Sequence, residues 1–454
     1  MPDLISLIGV LGLLEMRTVP DQDPAGEYAD NQEAMEKLQS LVPLASDNTT
    51  ESYDKKAQLA TLYLKTGSFD QAVPLLRDTL DGRRRLLGSD HAAIIQTEEL
   101  LACALYAQGE TVDALKEFQA ACAIRTRTPG TEDGWTVQNM FNTGIVTWHI
   151  GEHQEACDIM SKTYKMSERI HGPHHPSTLS AMENSSFMYH FVERSWEAQK
   201  VQQKVVNVRL NDLPHDGGTI LKSAILLGKI CMDKEWWENC EKTYSLIVEL
   251  RTNLEGSDSP ATLASKANLA TAVQKQGRLD EGEKICLEIS DVARTEFGPE
   301  SPVALRCKLR LATILSDKGE HIPALAIQRE VLQIQEQALG SSHEDTCCTL
   351  CHLSETLVEL EQYDEAVTAL KRLVSALEQR LGVCDPEALS ASLDLSMLLA
   401  RIDLIDEAED IVVNVISGRE AAEDSELLFK LRKAVNVLLQ HGRTAPFNKF
   451  YLGL

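Results

Sequence analysis

The chain has 454 residues, 43% of them apolar, 25% charged and only 5% aromatic, a mixture that suits helix surfaces packed on helix surfaces. A net charge of −25 repels phosphate backbones and anionic headgroups, so neither nucleic acid nor a membrane surface is expected as a partner. Eleven cysteines, an odd number without the spacing of a disulfide framework, point to reduced thiols and a cytoplasmic setting.

The first element is a short apolar run, Leu4 to Leu14. Asp3 precedes it and no Lys or Arg does, so it lacks the basic start of a signal peptide, and it is too short to span a bilayer. It reads as a helix that packs on the body or on a partner, and it is the candidate for self-association. Residues 18–29 read as a linker and residues 31–44 as a lone helix ending near Pro43. Together these form an N-terminal region, residues 1–52.

From there a period of 42 residues governs the chain. A small residue recurs at Ala72, Ala114, Ala156, Ala198, Cys240, Gly282, Ala324, Ala366 and Ala408, nine copies without an insertion. Five residues before each lies a turn column: Gly67, Gly109, Gly151, Glu193, Glu235, Gly277, Gly319, Glu361 and Asp403. Sixteen residues after it lies a loop column: Gly88, Gly130, Gly172, Pro214, Gly256, Gly298, Gly340 and Gly382. The turn column ends a first helix, where glycine tolerates the left-handed conformation that closes it. A second small column, from Ala60 to Ser396, lies twelve residues before the first and lets the two backbones approach. Pro176, Pro260, Pro302 and Pro386 start the next first helix, where a missing N–H costs little.

Between the columns apolar residues recur at helical spacing, and no segment alternates with period two, so no sheet is expected. The reading is all-α: nine antiparallel helix pairs over residues 53–430, then the end of a capping helix and a basic, aromatic tail over 431–454. The capping helix itself spans 424–440 and covers an apolar face that the last pair would otherwise expose. The pattern weakens in the fourth and fifth repeats, which lose the turn glycine at Glu193 and Glu235 and the loop glycine at Pro214. Any special feature of the array is expected there.

The phrase Gly172-Pro173-His174-His175-Pro176-Ser177-Thr178-Leu179, followed by Asn184, resembles the kinesin light chain class of tetratricopeptide (TPR) repeats. So do Gly256 to Leu263 followed by Asn268, and Gly298-Pro299-Glu300-Ser301-Pro302. The resemblance covers roughly residues 53–420. It implies a right-handed α-solenoid, the TPR superhelix, that binds proteins or peptides without catalysis. Two departures stand out: residues 1–50 show no heptads of the coil that joins a motor, and no G-x-x-x-x-G-K-[ST] loop cradles a phosphate.

In that family the first helix of each pair lines the concave face. Carried over by repeat position from Tyr53, the resemblance implies groove residues Gln138, Asn142, Asn184, Lys222, Lys229, Asn268, Arg306 and Arg310. Asn both donates to and accepts from a peptide backbone, and Lys and Arg hold carboxylates, so an extended acidic peptide or a C-terminal carboxylate is the expected ligand. Phe141, Trp148 and Phe187 on first helices read as core or as an apolar pocket. Of Trp236 and Trp237, one reads as core and the other as partly exposed.

Three strings suggest chemistry. His149-Ile150-Gly151-Glu152-His153 matches a zinc-protease pattern, but Gly151 is a turn, which puts the two histidines on different elements. Cys348-Thr349-Leu350-Cys351-His352 matches a haem-attachment string at positions that belong to a first helix. Cys348, Cys351 and His352 share a helical face, with His343 and Cys347 near in sequence, which is compatible with a metal site, but free Cys is a good small core residue and core packing is the expectation. His174 and His175 belong to the loop motif. No cofactor, metal or catalytic group is expected. The alternative function is an accessory or catalytic protein of a metabolic pathway: a closed apolar pocket would favour it, and a wide polar groove would favour an adaptor.

Overall fold

In a computed structural model of the chain, residues 36, 38–39, 48–88, 91–127, 133–212, 216–418, 425–441 and 443 are described. The apolar run at 4–14, the linker at 18–29, Gly130, Pro214 and most of the tail lie outside them. Of the lone helix expected at 31–44, residues 36, 38 and 39 are helical, and Gln39 donates to the Tyr63 hydroxyl at 2.9 Å.

Every described element is a helix, and none is a strand. The backbone divides into two compact units between Lys234 and Glu235. The first holds α1 (Thr50–Lys65), α2 (Phe69–Leu87), α3 (Ala92–Ala107), α4 (Thr111–Arg127), α5 (Gly134–Ile150), α6 (His153–His171), α7 (Pro176–Phe191), α8 (Ser195–Asp212) and α9 (Gly217–Asp233). The second holds α10 (Trp237–Glu255), α11 (Pro260–Lys275), α12 (Leu279–Phe297), α13 (Pro302–Asp317), α14 (His321–Ala338), α15 (Glu344–Glu359), α16 (Tyr363–Leu381), α17 (Pro386–Arg401), α18 (Ile405–Gly418) and α19 (Ser425–Gln440). Odd-numbered helices up to α17 are first helices and even-numbered ones second helices. α19 packs on α17 and α18, where the capping helix was expected.

The turns explain the regularity. Gly67 and Gly277 have φ of 75° and 82°, and the next residue closes a backbone bond five residues back, Ser68 N to Tyr63 O and Arg278 N to Val273 O. That bond is the Schellman closure of a helix. Of the two turns expected to mark a special place, Glu235, with φ of 57°, stands where the backbone divides into two units, and Glu193 closes as the glycine turns do. Glu193, Glu361 and Asp403 adopt the same left-handed φ, 63°, 58° and 61°. They keep the same closure, Arg194 N to Tyr189 O, Gln362 N to Leu357 O and Leu404 N to Leu399 O at 2.8, 2.9 and 3.0 Å. The tertiary fold imposes the conformation, and a side chain there costs about 1–2 kcal/mol.

The two small columns meet inside each pair. The Ser186 hydroxyl donates to Ala198 O at 2.8 Å and Ser396 to Ala408 O at 3.0 Å. At Gly282 an added Cβ would lie 3.3 Å from Ala270 O, so even alanine is tight. At the starts of α3, α7 and α15, His91, His175 and His343 accept through Nδ1 from the backbone N–H two residues on, which is why the loop motif carries a histidine. Ser259 and Ser301 take that role before α11 and α13.

One polar column escaped the sequence reading. In the first unit, Arg83, Arg125 and Arg209 are buried on second helices at multiples of 42 residues. Arg83 reaches Asp54 on its own first helix and Thr97 and the Ala93 carbonyl on the next. Arg209 grips Glu183 with both nitrogens at 2.7 and 2.9 Å and also takes the Thr219 carbonyl. Arg125 donates to buried Glu99 at 2.9 Å, and Asn139 of the following pair donates to the same oxygen at 3.2 Å.

Two outcomes follow from these contacts. Glu361→Gly removes a left-handed side chain that forms no ion pair among the described residues and should raise stability by about 1 kcal/mol in denaturant titration, after the entropic penalty of glycine. Arg125→Met leaves the Glu99 carboxylate buried without its cation and should cost about 3–5 kcal/mol, most of it recovered in the Glu99→Leu/Arg125→Met double variant. An additive double variant would refute the second.

Candidate functional site

Within each unit, first helices of successive pairs pack on one another: α1 on α3 and α7 on α9 in the first, α11 on α13 and α13 on α15 in the second. Side chains on the free face of these helices are therefore brought side by side. The implied groove residues all lie on first helices, but they differ in what they do.

On α5, the Gln138 amide donates to Asn142 Oδ1 at 3.0 Å, and Asn142 is buried with its Nδ2 unsatisfied. On α7, Asn184 spends its amide on its own helix, donating to Ser180 O at 2.9 Å. Lys222 and Lys229 are exposed on α9. On α11 and α13, Asn268 and Arg310 are half-buried and Arg306 is exposed. Within this set, Gln138 and Asn142 are hydrogen-bonded to one another.

The cations sort by position. Lys56, Lys266 and Lys308 each pair with an acid 22 residues on, in the second helix of the same pair: Asp78, Glu288 and Glu330. Lys222, Lys229 and Arg310 form no ion pair among the described residues, and Arg306 meets only the Pro302 carbonyl of its own helix.

A cavity of about 1100 Å³ lies in the second unit, between α15, α16, α17 and α19. Leu370, Leu373, Leu377, Leu398 and Leu427 form its apolar part. Glu355, Glu359, Asp394, Arg401, Lys430 and Lys433 bring charge to it. Lys430 holds Asp394 and the Ser390 hydroxyl, both at 2.8 Å. No position of the groove set lies in it, so the repeat-position argument missed the cavity. The signal available was the run Cys348, Cys351 and Glu355 at helical spacing on one first helix.

That run departs from a ligand cluster. Cys347 is turned into the core and His343 is spent capping α15, while Cys348 is exposed. Among the described residues no three His, Cys, Asp or Glu side chains converge to hold a metal ion. His352 Nδ1 lies 3.4 Å from Glu355 Oε2. Its Cys348 neighbour first, and Glu355 second, push the imidazole up to about 9, and the hydrogen bond from His352 in turn holds the Glu355 carboxyl below its ordinary range.

The other strings resolve by packing. His149 ends α5 and bonds the Tyr106 hydroxyl at 2.8 Å, whereas His153 opens α6 and lies against Trp148, ring centroids 4.4 Å apart. Gly151, with φ of 97°, separates them. Phe141 and Trp148 are buried and Phe187 is half-buried against Trp148. Trp148 also meets the exposed Phe191 edge-on at 5.0 Å. Trp236 and Trp237 are both half-buried, which corrects the expected split: they sit at the start of α10, where neither side chain is fully enclosed. No described helix is long and apolar enough to cross a membrane.

Because the folded-state pKa of His352 is raised, its contribution to stability is complete below its ordinary value near 6.5 and is lost as pH rises through about 9. The difference in melting temperature between wild type and His352→Gln should therefore shrink between those values. A pH-independent difference would show that the imidazolium is not held.

Comparison with known proteins follows the repeat. No curated protein matches the chain by sequence. Among solved structures, apo RapI is 10% identical with a TM-score of 0.50, covering 81% of this chain and 97% of its own. The apo quorum sensor NprR from B. thuringiensis is 14% identical with a TM-score of 0.44, covering 81% and 99%. Kinesin light chain TPR-like repeats from Podosopora anserina are 17% identical with a TM-score of 0.20, covering 63% and 96%. The likeness to RapI is one of fold alone. The model of the Tetratricopeptide repeat family matches residues 53–127, 136–211, 262–337 and 304–379, together more than half of the chain. With its 42-residue helix pairs and their left-handed turns, the chain belongs to the tetratricopeptide repeat family.

Proposed function

We propose that this protein is a non-enzymatic adaptor that holds acidic peptide segments of other proteins on the free faces of its first helices. TPR repeats generally serve as scaffolds for proteins and peptides, and the observation that carries the finer reading is the set of uncommitted cations. In a chain of net charge −25, Lys222 and Lys229 in one unit and Arg306 and Arg310 in the other lack carboxylate partners among the described residues. Lys56, Lys266 and Lys308, also on first helices, are each paired with an acid on the second helix of the same pair. A cation left without a carboxylate on a shared face is matched by a ligand that brings one, and Arg does so through two parallel N–H donors.

Asn268, half-buried beside these cations in sequence order, is available to bond a peptide backbone through both donor and acceptor.

The test uses the full chain. Partners are captured from lysate and identified, and an acidic peptide from the strongest partner is titrated by calorimetry against wild type and the Arg306→Glu/Arg310→Glu variant. Reversal should weaken binding at least tenfold, and binding to wild type should fall as salt rises. Unchanged affinity in the reversed variant would sink the reading.

A further inference from the structure

Three histidines meet at the joint between α6 and α7. His171 is the last residue of α6, and its ring stacks on that of His175, with centroids 4.5 Å apart and planes 24° apart. His174 is bonded to Asp212 at the end of α8. His175 is the N-cap of α7, where its Nδ1 accepts from Ser177 N at 3.2 Å. A backbone N–H can only donate, so this contact requires an unprotonated Nδ1. Pro176 has no N–H, so the Ser177 amide is the first donor that the helix must satisfy.

We propose that His175 is an acid-sensitive latch on the start of α7: a proton on Nδ1 turns the cap's acceptor into a donor, releases the Ser177 amide and loosens the α6–α7 joint. The surroundings oppose the charged form. An imidazolium there stands at the positive end of the α7 dipole and faces the His171 ring. The nearby carboxylates are committed to other partners. Asp212 is held by His174, and Glu168 on α6 by Lys204 of α8. Asp133 caps α5 through Thr136, next to Gly134, where an added Cβ would lie 3.1 Å from His171. Among the described residues neither His171 nor His175 forms an ion pair. Burial first, and His171 second, hold the His175 imidazole below its ordinary value of 6.5. The latch is therefore closed above that value and opens as pH falls below it.

The array carries a version of the same joint that does not titrate. Before α11 the Ser259 hydroxyl takes the place of the imidazole and accepts from Thr262 N at 3.1 Å. The rest of the joint is alike: the Thr178 hydroxyl donates to Gly172 O at 2.9 Å and the Thr262 hydroxyl to Gly256 O at 2.8 Å. His343 caps α15 as His175 caps α7, but it lies 3.8 Å from Asp345, whose carboxylate balances its charge. The latch needs no bound partner, so it stands apart from the reading of the cations on the first helices.

Hydrogen exchange of the full chain is followed by mass spectrometry at pH 7.5 and pH 5, each rate being divided by the intrinsic rate at that pH. Protection at the start of α7 should fall about fivefold, the worth of one cap, while protection at the start of α11 should hold. His175→Ser, which installs the cap of α11, should remove the pH dependence. His171→Asn keeps the cap and should move the midpoint of the loss upward toward 6.5. Circular dichroism checks that each variant retains its helices, and the contrast between α7 and α11 in wild type decides the matter if a variant does not fold. Equal protection of α7 at the two pH values, or a loss that survives His175→Ser, would overturn the latch.

Discussion

A helix pair of this kind reverses direction at one residue, and that residue must be left-handed. The closure bond five residues back fixes where the second helix starts relative to the first. With the turn fixed, residues twelve apart on the two helices face each other, and only small side chains fit there: Ser186 with Ala198, Ala270 with Gly282. The loop glycine and the capping histidine or serine then start the next pair at a set distance. A strict 42-residue period is thus the consequence of a local backbone constraint repeated without a change of length.

Features that demand a particular residue type were legible from sequence. Gly67, Ala72, Gly88 and Pro176 each answer a backbone requirement, and each marks the element it was expected to mark. At Glu193 the loss of glycine leaves the turn unchanged, because sequence shows the preference for glycine and not the force that overrides it, whereas Glu235 stands at the division between the units. The Arg83–Arg125–Arg209 column was missed because arginine on a helix reads as a solvated surface residue. Its burial depends on acids and carbonyls from two other helices.

The candidate site was legible in position and not in pairing. Repeat arithmetic places Asn142 and Asn184 at equivalent positions, yet one bonds Gln138 and the other its own helix. The cysteine-rich string, read as core packing in preference to a ligand set, divides between the core and the open face. A helical turn sends Cys347 inward and Cys348 outward, and the cap removes His343. What remains on the open face is a thiol with an imidazole and a carboxylate, a set that no motif spelled out.

The arginine column also changes what counts as a module. Arg83 and Arg209 each bind the first helix of their own pair and the first helix of the next, so a pair cut out at the repeat boundary carries a buried guanidinium stripped of half its acceptors. In the first unit the indivisible block is three helices, overlapping its neighbour by one. Shortened versions of the protein should therefore end after a first helix rather than after a second, and repeats transplanted elsewhere should travel with the helix that follows them.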